Sequence, residues 1–185
     1  MSLDREIIEE IDDGKVFLDK ISVNDAQFLY KSLKSKKITK YMSLNPLPSV
    51  SHAENLIKHH LKYWDDYQQF NYTIKVKDRT SFRPIGSTSI WNLDWKNNRA
   101  EVGIWLIPQV WGEGFGTRAI NLAKIISFMH LKLNRLAAHI VTKNQRSLKL
   151  FMNSGFKKEG RLSQYLNIND AYYDVFLVAA LQDEF

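Results

Sequence analysis

Apolar residues recur along this chain at two spacings, every second position in some segments and every third or fourth in others. Leu3, Ile7, Ile8 and Ile11 share one helical face that Gly14 would end, so residues 1–14 are predicted as an N-terminal helical extension. A strand over Val16 to Ser22 follows, then a helix capped by Asn24 or Asp25 and running to about Lys34. Asn45, Pro46 and Pro48 mark a loop. Ser51 and Glu54 form an S-x-x-E capping box for a helix whose apolar stripe is Leu56, Ile57, Leu61 and Trp64. Alternation predicts strands over Phe70 to Val76, Ile85 to Leu93 and Arg99 to Ile107, with turns at Lys77 to Arg83 and at Lys96-Asn97-Asn98. The next helix, Thr117 to about His130, carries Ala119, Leu122, Ile126 and Met129 at steps of three and four. A strand over Arg135 to Val141, a helix over Gln145 to Asn153 and strands over Phe156 to Leu162 and Tyr172 to Ala180 complete a mixed sheet. Without repeats or linkers, residues 1–185 read as one α/β (α+β) domain.

Residues 99 to 118, RAEVGIWLIPQVWGEGFGTR, carry the most chemistry. A strand runs into Gly112, Gly114 and Gly116, and a helix starts at once. Missing side chains let backbone N–H groups approach an anion, and the positive end of the helix holds it. The expected cradle is the run Trp111, Gly112, Glu113, Gly114, Phe115, Gly116, Thr117. A dinucleotide fingerprint needs G-x-G-x-x-G and an acid about 20 residues on. Here the third glycine comes one residue early, and Leu133 to Leu136 supply no acid. A P-loop needs a lysine that Gly112 to Thr117 lacks.

The pattern resembles motif A of the GNAT N-acetyltransferases, [R/Q]-x-x-G-x-[G/A], which binds the pyrophosphate of acetyl-CoA. Trp111 stands where that motif has Arg or Gln, as in the RimJ/RimL branch that acetylates N-terminal amines of ribosomal proteins. TKNQRSLKLFMNSGFKKEGRL resembles the family's second motif. GRLSQYLNINDAYYDVFLVAAL resembles the RimL tail, with Asn169, Asp170, Ala171, Tyr172, Asp174 and Val175 in register. The resemblance covers residues 83 to 185 well and the N-terminal half loosely. It implies a GNAT acyl-CoA N-acyltransferase fold, a mixed central sheet of about six to seven strands with a splayed strand pair, flanked by helices. Pro108, which cannot donate a ladder bond, suits the opening of that pair.

The absence of cysteine excludes disulfides, thiolate metal sites and a Cys nucleophile. No apolar run approaches the length of a membrane span, and the acidic N-terminus is unlike a targeting peptide, so a cytoplasmic location without membrane contact is expected. The net charge of +6 suits an anionic coenzyme and leaves room for weak contact with ribosomal RNA. His52, His59 and His60 show no zinc spacing, so no metal is expected. A homodimer is compatible with the chain, which does not specify one.

Direct attack of an amine on the thioester needs anchoring, amine deprotonation, oxyanion stabilisation and protonation of the leaving thiolate. Glu101 is the candidate base, since many family members carry an acid there; the structural alternative is a cross-strand ion pair. Period-two alternation puts Glu101, Gly103 and Trp105 on one face and Val102, Ile104 and Leu106 on the other. The resemblance places the oxyanion donor at a backbone N–H near Leu106 or Ile107, the pantetheine arm against Asn144, and Ser147 near the thiol. Asn144-x-x-Ser147 also fits a helix N-terminal cap. Phe151 replaces the family's proton-donating Tyr, and Leu166 replaces a RimL Glu. Tyr165, Tyr172 and Tyr173 are substitutes that also fit a packing role. The expected reaction is acetyl transfer from acetyl-CoA to a protein N-terminal amine, possible ribosomal proteins included, in a ternary complex. The rivals are a small-amine acetyltransferase, for a polyamine or aminoglycoside-like acceptor, and a non-catalytic acyl-CoA-binding or ribosome-binding module.

Overall fold

A computed structural model describes residues 4–78 and 81–185. Strands are β1 (Glu10–Asp12), β2 (Val16–Lys20), β3 (Phe70–Asp78), β4 (Ser81–Asp94), β5 (Arg99–Leu106), β6 (Arg135–Val141), β7 (Lys157–Ile168) and β8 (Ala171–Leu181). Helices are α1 (Ala26–Leu33), α2 (Lys36–Thr39), α3 (Val50–Asp65), α4 (Phe115–Ile125) and α5 (Gln145–Asn153). The strands form one eight-stranded sheet in the order β1-β2-β3-β4-β5-β6-β8-β7. Every neighbouring pair is antiparallel except β5–β6.

The sheet gains a strand because the N-terminus is not helical. Residues 4–9 are irregular, and β1 adds to the edge of β2 (Leu3 lies outside the described residues). Asp12-Asp13-Gly14 makes the hairpin turn, with Gly14 at φ +82° and its N–H bonded to Asp12 Oδ1 at 2.8 Å. A lone helix of this length is marginal in water, whereas the free edge of β2 offers backbone partners. Ile7, Ile8 and Ile11 still pack on the core.

Several boundaries also move. The N-cap of α3 is Ser49, accepting from His52 N at 3.3 Å, so the Ser51–Glu54 box is not formed. Asp25 precedes α1, but its carboxylate turns back to accept Ser22 N–H at 2.9 Å. The β3–β4 turn is tighter than Lys77 to Arg83, since Asp78 already pairs with Ser81; residues 79–80 lie outside the described residues. Beyond α4 the chain widens into a π turn, Ile126–His130, with Leu131 N–H reaching Ile126 O at 2.8 Å. The wider turn rotates Met129 off the buried stripe to 52% exposure and turns Phe128 inward in its place.

Apolar clusters cover both faces of the sheet. Val102 and Leu106 of β5 pack with Ala119, Ile120 and Ala123 of α4. On the other face Trp105 stacks on Phe28 of α1, 5.7 Å between ring centroids, beside Leu29, Ala53 and Ile57. The predicted alternation of β5 is therefore realised, and it points Glu101, Gly103 and Trp105 toward the α1–α3 side.

Candidate active site

β5 ends in a single turn, Pro108–Val110, and the chain enters α4 through Trp111-Gly112-Glu113-Gly114. Gly112 and Gly114 sit at φ +87° and +83°, a region that side chains rarely adopt, and a Cβ on either would meet nothing within 4 Å. The backbone N–H groups of Gly112, Glu113, Gly114, Phe115, Gly116 and Thr117 have no hydrogen-bond acceptor among the described residues. They converge on the positive end of α4, whose first turn holds no acid. Glu113 is exposed and Phe115 and Thr117 are half-buried; each presents a free backbone N–H at this turn. Trp111 is a correction, because its amide is engaged by Pro108 O at 3.2 Å. Gly116 has a second duty: a Cβ there would lie 2.4 Å from Leu150 Cδ1, so its bareness also lets α4 approach α5.

Upstream of the cradle, β5 and β6 pair at Arg99↔Arg135, Ala100↔Leu136 and Glu101↔Ala137, and then part. Ile107 N–H donates to Ile85 O at 2.8 Å. Ile107 N–H is therefore not free to serve as the expected oxyanion donor. Hydrogen-bonding direction alternates along a strand, so Leu106 turns its N–H and C=O away from β4, toward the gap. The carbonyl is satisfied by the Trp111 indole N–H at 2.9 Å, while the N–H has no acceptor among the described residues.

At the closed end of the gap, Glu101 Oε2 lies 2.9 Å from His139 Nδ1, and Asn92 Nδ2 donates to Glu101 Oε1 at 2.9 Å. Asn92 reaches it from a bulge in β4, at φ +52°. Tyr165 of β7 stacks on the imidazole with centroids 4.7 Å apart. Burial pushes the Glu101 carboxyl up, but the hydrogen bonds from His139 and Asn92 outweigh it and hold the group below the usual carboxylate range. A carboxyl with folded affinity for protons below the unfolded one stabilises the fold above the unfolded value, about pH 4.3 for Glu. That contribution is lost as pH falls through the lower folded value. In urea unfolding from pH 7 to pH 3, the stability margin of wild type over Glu101→Gln should hold above about pH 5 and close below about pH 4.

Glu101, His139 and Tyr165 line one cavity of about 940 Å³. Glu101, Leu106, Trp111, Asn144, Ser147 and Phe151 all contribute to its wall, and the cradle begins at the residue after Trp111. Asn144 is the N-cap of α5, its Oδ1 accepting Ser147 N–H at 3.3 Å, so the capping reading is realised in the cavity wall. Phe151 is buried edge-on against Phe156, 4.9 Å between centroids. Leu166 and Tyr165 reach the cavity; Tyr172 and Tyr173 do not line it. Arg146 stacks over the Trp111 ring at 3.9 Å. Lys37, Lys40 and Lys143 complete the charged lining. Among the described residues no cluster of His, Cys, Asp or Glu could hold a metal ion, and no helix is long and apolar enough to cross a membrane.

His139, Arg146 and Lys40 were not singled out by sequence, whereas Lys37 ends the basic cluster KSLKSKK, residues 31–37. The one sequence signal for His139 is that alternation puts Arg135, Ala137, His139 and Val141 on a single face of β6. The parallel register that sets His139 beside Glu101 is long-range.

Residues 15–157 match the family model described as an acetyltransferase (GNAT) domain. The chain belongs to the GNAT acetyltransferase family. It is 30% identical over 173 residues to the uncharacterized N-acetyltransferase p20 of Bacillus licheniformis, covering 92% of this chain and 95% of p20. The spermidine N-acetyltransferase of Vibrio cholerae, solved in complex with CoA and spermine, superposes with a TM-score of 0.81 at 25% identity, covering 92% of this chain and 97% of that one. Mycobacterium smegmatis RimJ, in complex with CoA-disulfide, shares the fold with a TM-score of 0.84 at 20% identity, over 92% and 83% of the two chains. This GNAT protein is thus an acetyl-CoA-dependent N-acetyltransferase. The free amides, the open space over Gly112 and Gly114 and the parted strands fit that cosubstrate.

Proposed function

We propose that this chain acetylates the N-terminal α-amine of a protein, with ribosomal proteins the favoured class, by direct attack in a ternary complex. The charge of the cavity carries this reading. Lys37, Lys40, Lys143 and Arg146 face it, and Glu101, the carboxylate in its lining, is already held by His139 and Asn92. A polyamine is a flexible polycation and needs unpaired carboxylates to hold its distal amines. A peptide N-terminus presents one amine and a neutral backbone. An α-amine of pKa about 7.7–8.0 is also roughly one-tenth to one-sixth neutral at pH 7, against about 0.04% for a lysine amine near 10.4, so it asks a few hundredfold less of the site.

In this reading the free amides of Gly112 to Thr117 anchor the pyrophosphate, and Leu106 N–H faces the developing oxyanion. Asn144 and Phe151 border the pantetheine arm, and Ser147 stands near the thiol. The Glu101–His139 pair handles the amine's proton. The basic segment Lys31 to Lys40 beside the acceptor side would suit ribosomal RNA.

An acceptor panel tests the assignment. Peptides with a free N-terminus should be acetylated at least ~100-fold more efficiently, in kcat/KM, than spermidine or an N-terminally blocked lysine peptide. Spermidine as the preferred acceptor would overturn it.

A further inference from the structure

We propose that His139 Nε2 is the atom that takes the proton from the acceptor amine, and that Glu101 is a positioning residue that holds His139 by Nδ1. The inference rests on the acyl-transfer reading of the cavity and deepens it.

The tautomer follows from the hydrogen-bond network. Glu101 Oε1 accepts from Asn92 and Oε2 lies 2.9 Å from His139 Nδ1. An ionised carboxylate can only accept, so Nδ1 carries the hydrogen. In a neutral imidazole the lone pair then sits on Nε2. That nitrogen has no protein partner among the described residues, yet it is absent from the buried, unpartnered atoms. It is therefore open to the cavity that His139 lines together with Leu106. The ring is fixed along its face by Tyr165, stacked at 17°, and at Nδ1 by Glu101, leaving Nε2 directed and free. Glu101 is the poorer base of the two: both of its oxygens are engaged, and a carboxylate held below its usual range gives up little by staying ionised. The other titratable and charged groups around the imidazole are Tyr165 on β7 and, lining the same cavity, Lys143, Arg146, Tyr41, Lys37 of α2 and Lys40 just after it; its β8 neighbour Leu177 is apolar.

The step balances. An ammonium acceptor passes one proton to Nε2, and the amine lone pair forms the C–N bond at the thioester carbonyl. The C–S bond breaks as nitrogen loses its second proton and sulfur gains one. Acetamide and thiol leave, and the proton on Nε2 is released to water.

The test is the pH dependence of kcat at saturating acceptor, run with two acceptors of different amine pKa so that a limb belonging to the acceptor is recognised by its movement. His139→Gln should lower kcat at least ~100-fold, keep the acetyl-CoA dissociation constant within about twofold and erase the enzyme's acid limb. Glu101→Gln keeps a hydrogen-bond acceptor for Nδ1 without the charge; it should lower kcat about tenfold and retain the limb that His139→Gln erases. If Glu101 is itself the base, Glu101→Gln erases the limb and His139→Gln leaves it, and the proposal falls. Long-range proton–nitrogen NMR of histidine-labelled protein gives an independent reading, with Nδ1–H and bare Nε2 expected and the opposite tautomer overturning it. If a small amine rather than a peptide is acetylated, the acceptor assignment fails while these readouts still decide the pair.

Discussion

In calorimetric titration, Gly114→Val should bind acetyl-CoA at least ~100-fold more weakly than wild type, a loss of about 2.7 kcal/mol. Two effects act together. Gly114 is held at φ +83°, where a β-branched residue is strained by about 1–3 kcal/mol. The loop escapes that strain only by leaving the conformation in which its amides converge. If it stays, the valine methyls occupy the space over the cradle. Nothing in the protein resists them, because no atom lies within 4 Å of a Cβ placed there. The obstruction is thus felt by the ligand, while the melting temperature should fall only as far as the backbone strain dictates, about 2–4 °C per kcal/mol. Gly160→Ala, at a glycine with equally open surroundings and no positive φ, should leave binding unchanged. Unaltered affinity in Gly114→Val would remove the anchoring role of the glycine turn.

How much of this was visible in sequence depends on how local each determinant is. The α5 boundaries, Gln145–Asn153, matched expectation because cap and apolar stripe lie within one segment. The glycine turn into α4 was legible for the same reason, since its glycines and helix start are contiguous. The N-terminal helix failed because Ile7, Ile8 and Ile11 fit a helical face, while the alternative partner, the edge of β2, became available only on folding. Met129 failed because one π turn changes the period after Ile126 without altering the residue pattern. At the site, Glu101 could be singled out from its strand. His139 could not, because only the three-pair register of β5 with β6 makes the two neighbours. The distinction between Leu106 and Ile107 was likewise beyond sequence. It depends on hydrogen-bonding parity against β4, which the Ile107–Ile85 bond reveals.

That parity makes a sharp experiment possible. Replacing Leu106 by its α-hydroxy acid turns the amide N–H into an ester oxygen and keeps the side chain that packs against α4. If Leu106 N–H faces the oxyanion, kcat should fall by about 10²–10³, equivalent to roughly 2.7–4 kcal/mol, with acetyl-CoA affinity little changed. The Trp111 indole cannot take over that role, because its N–H is already engaged by Leu106 O. The same replacement at Ile107 should behave in the opposite way. Its N–H bonds Ile85 O within the sheet, so the ester should cost about 0.5–1.5 kcal/mol of stability and leave kcat nearly intact. Equal kinetic losses at the two positions would mean that a general weakening of the strand end, rather than one directed amide, sets the rate. A loss confined to Leu106 would tie the parting of β5 and β6 to catalysis, because only a strand without a partner on that side keeps such a donor free.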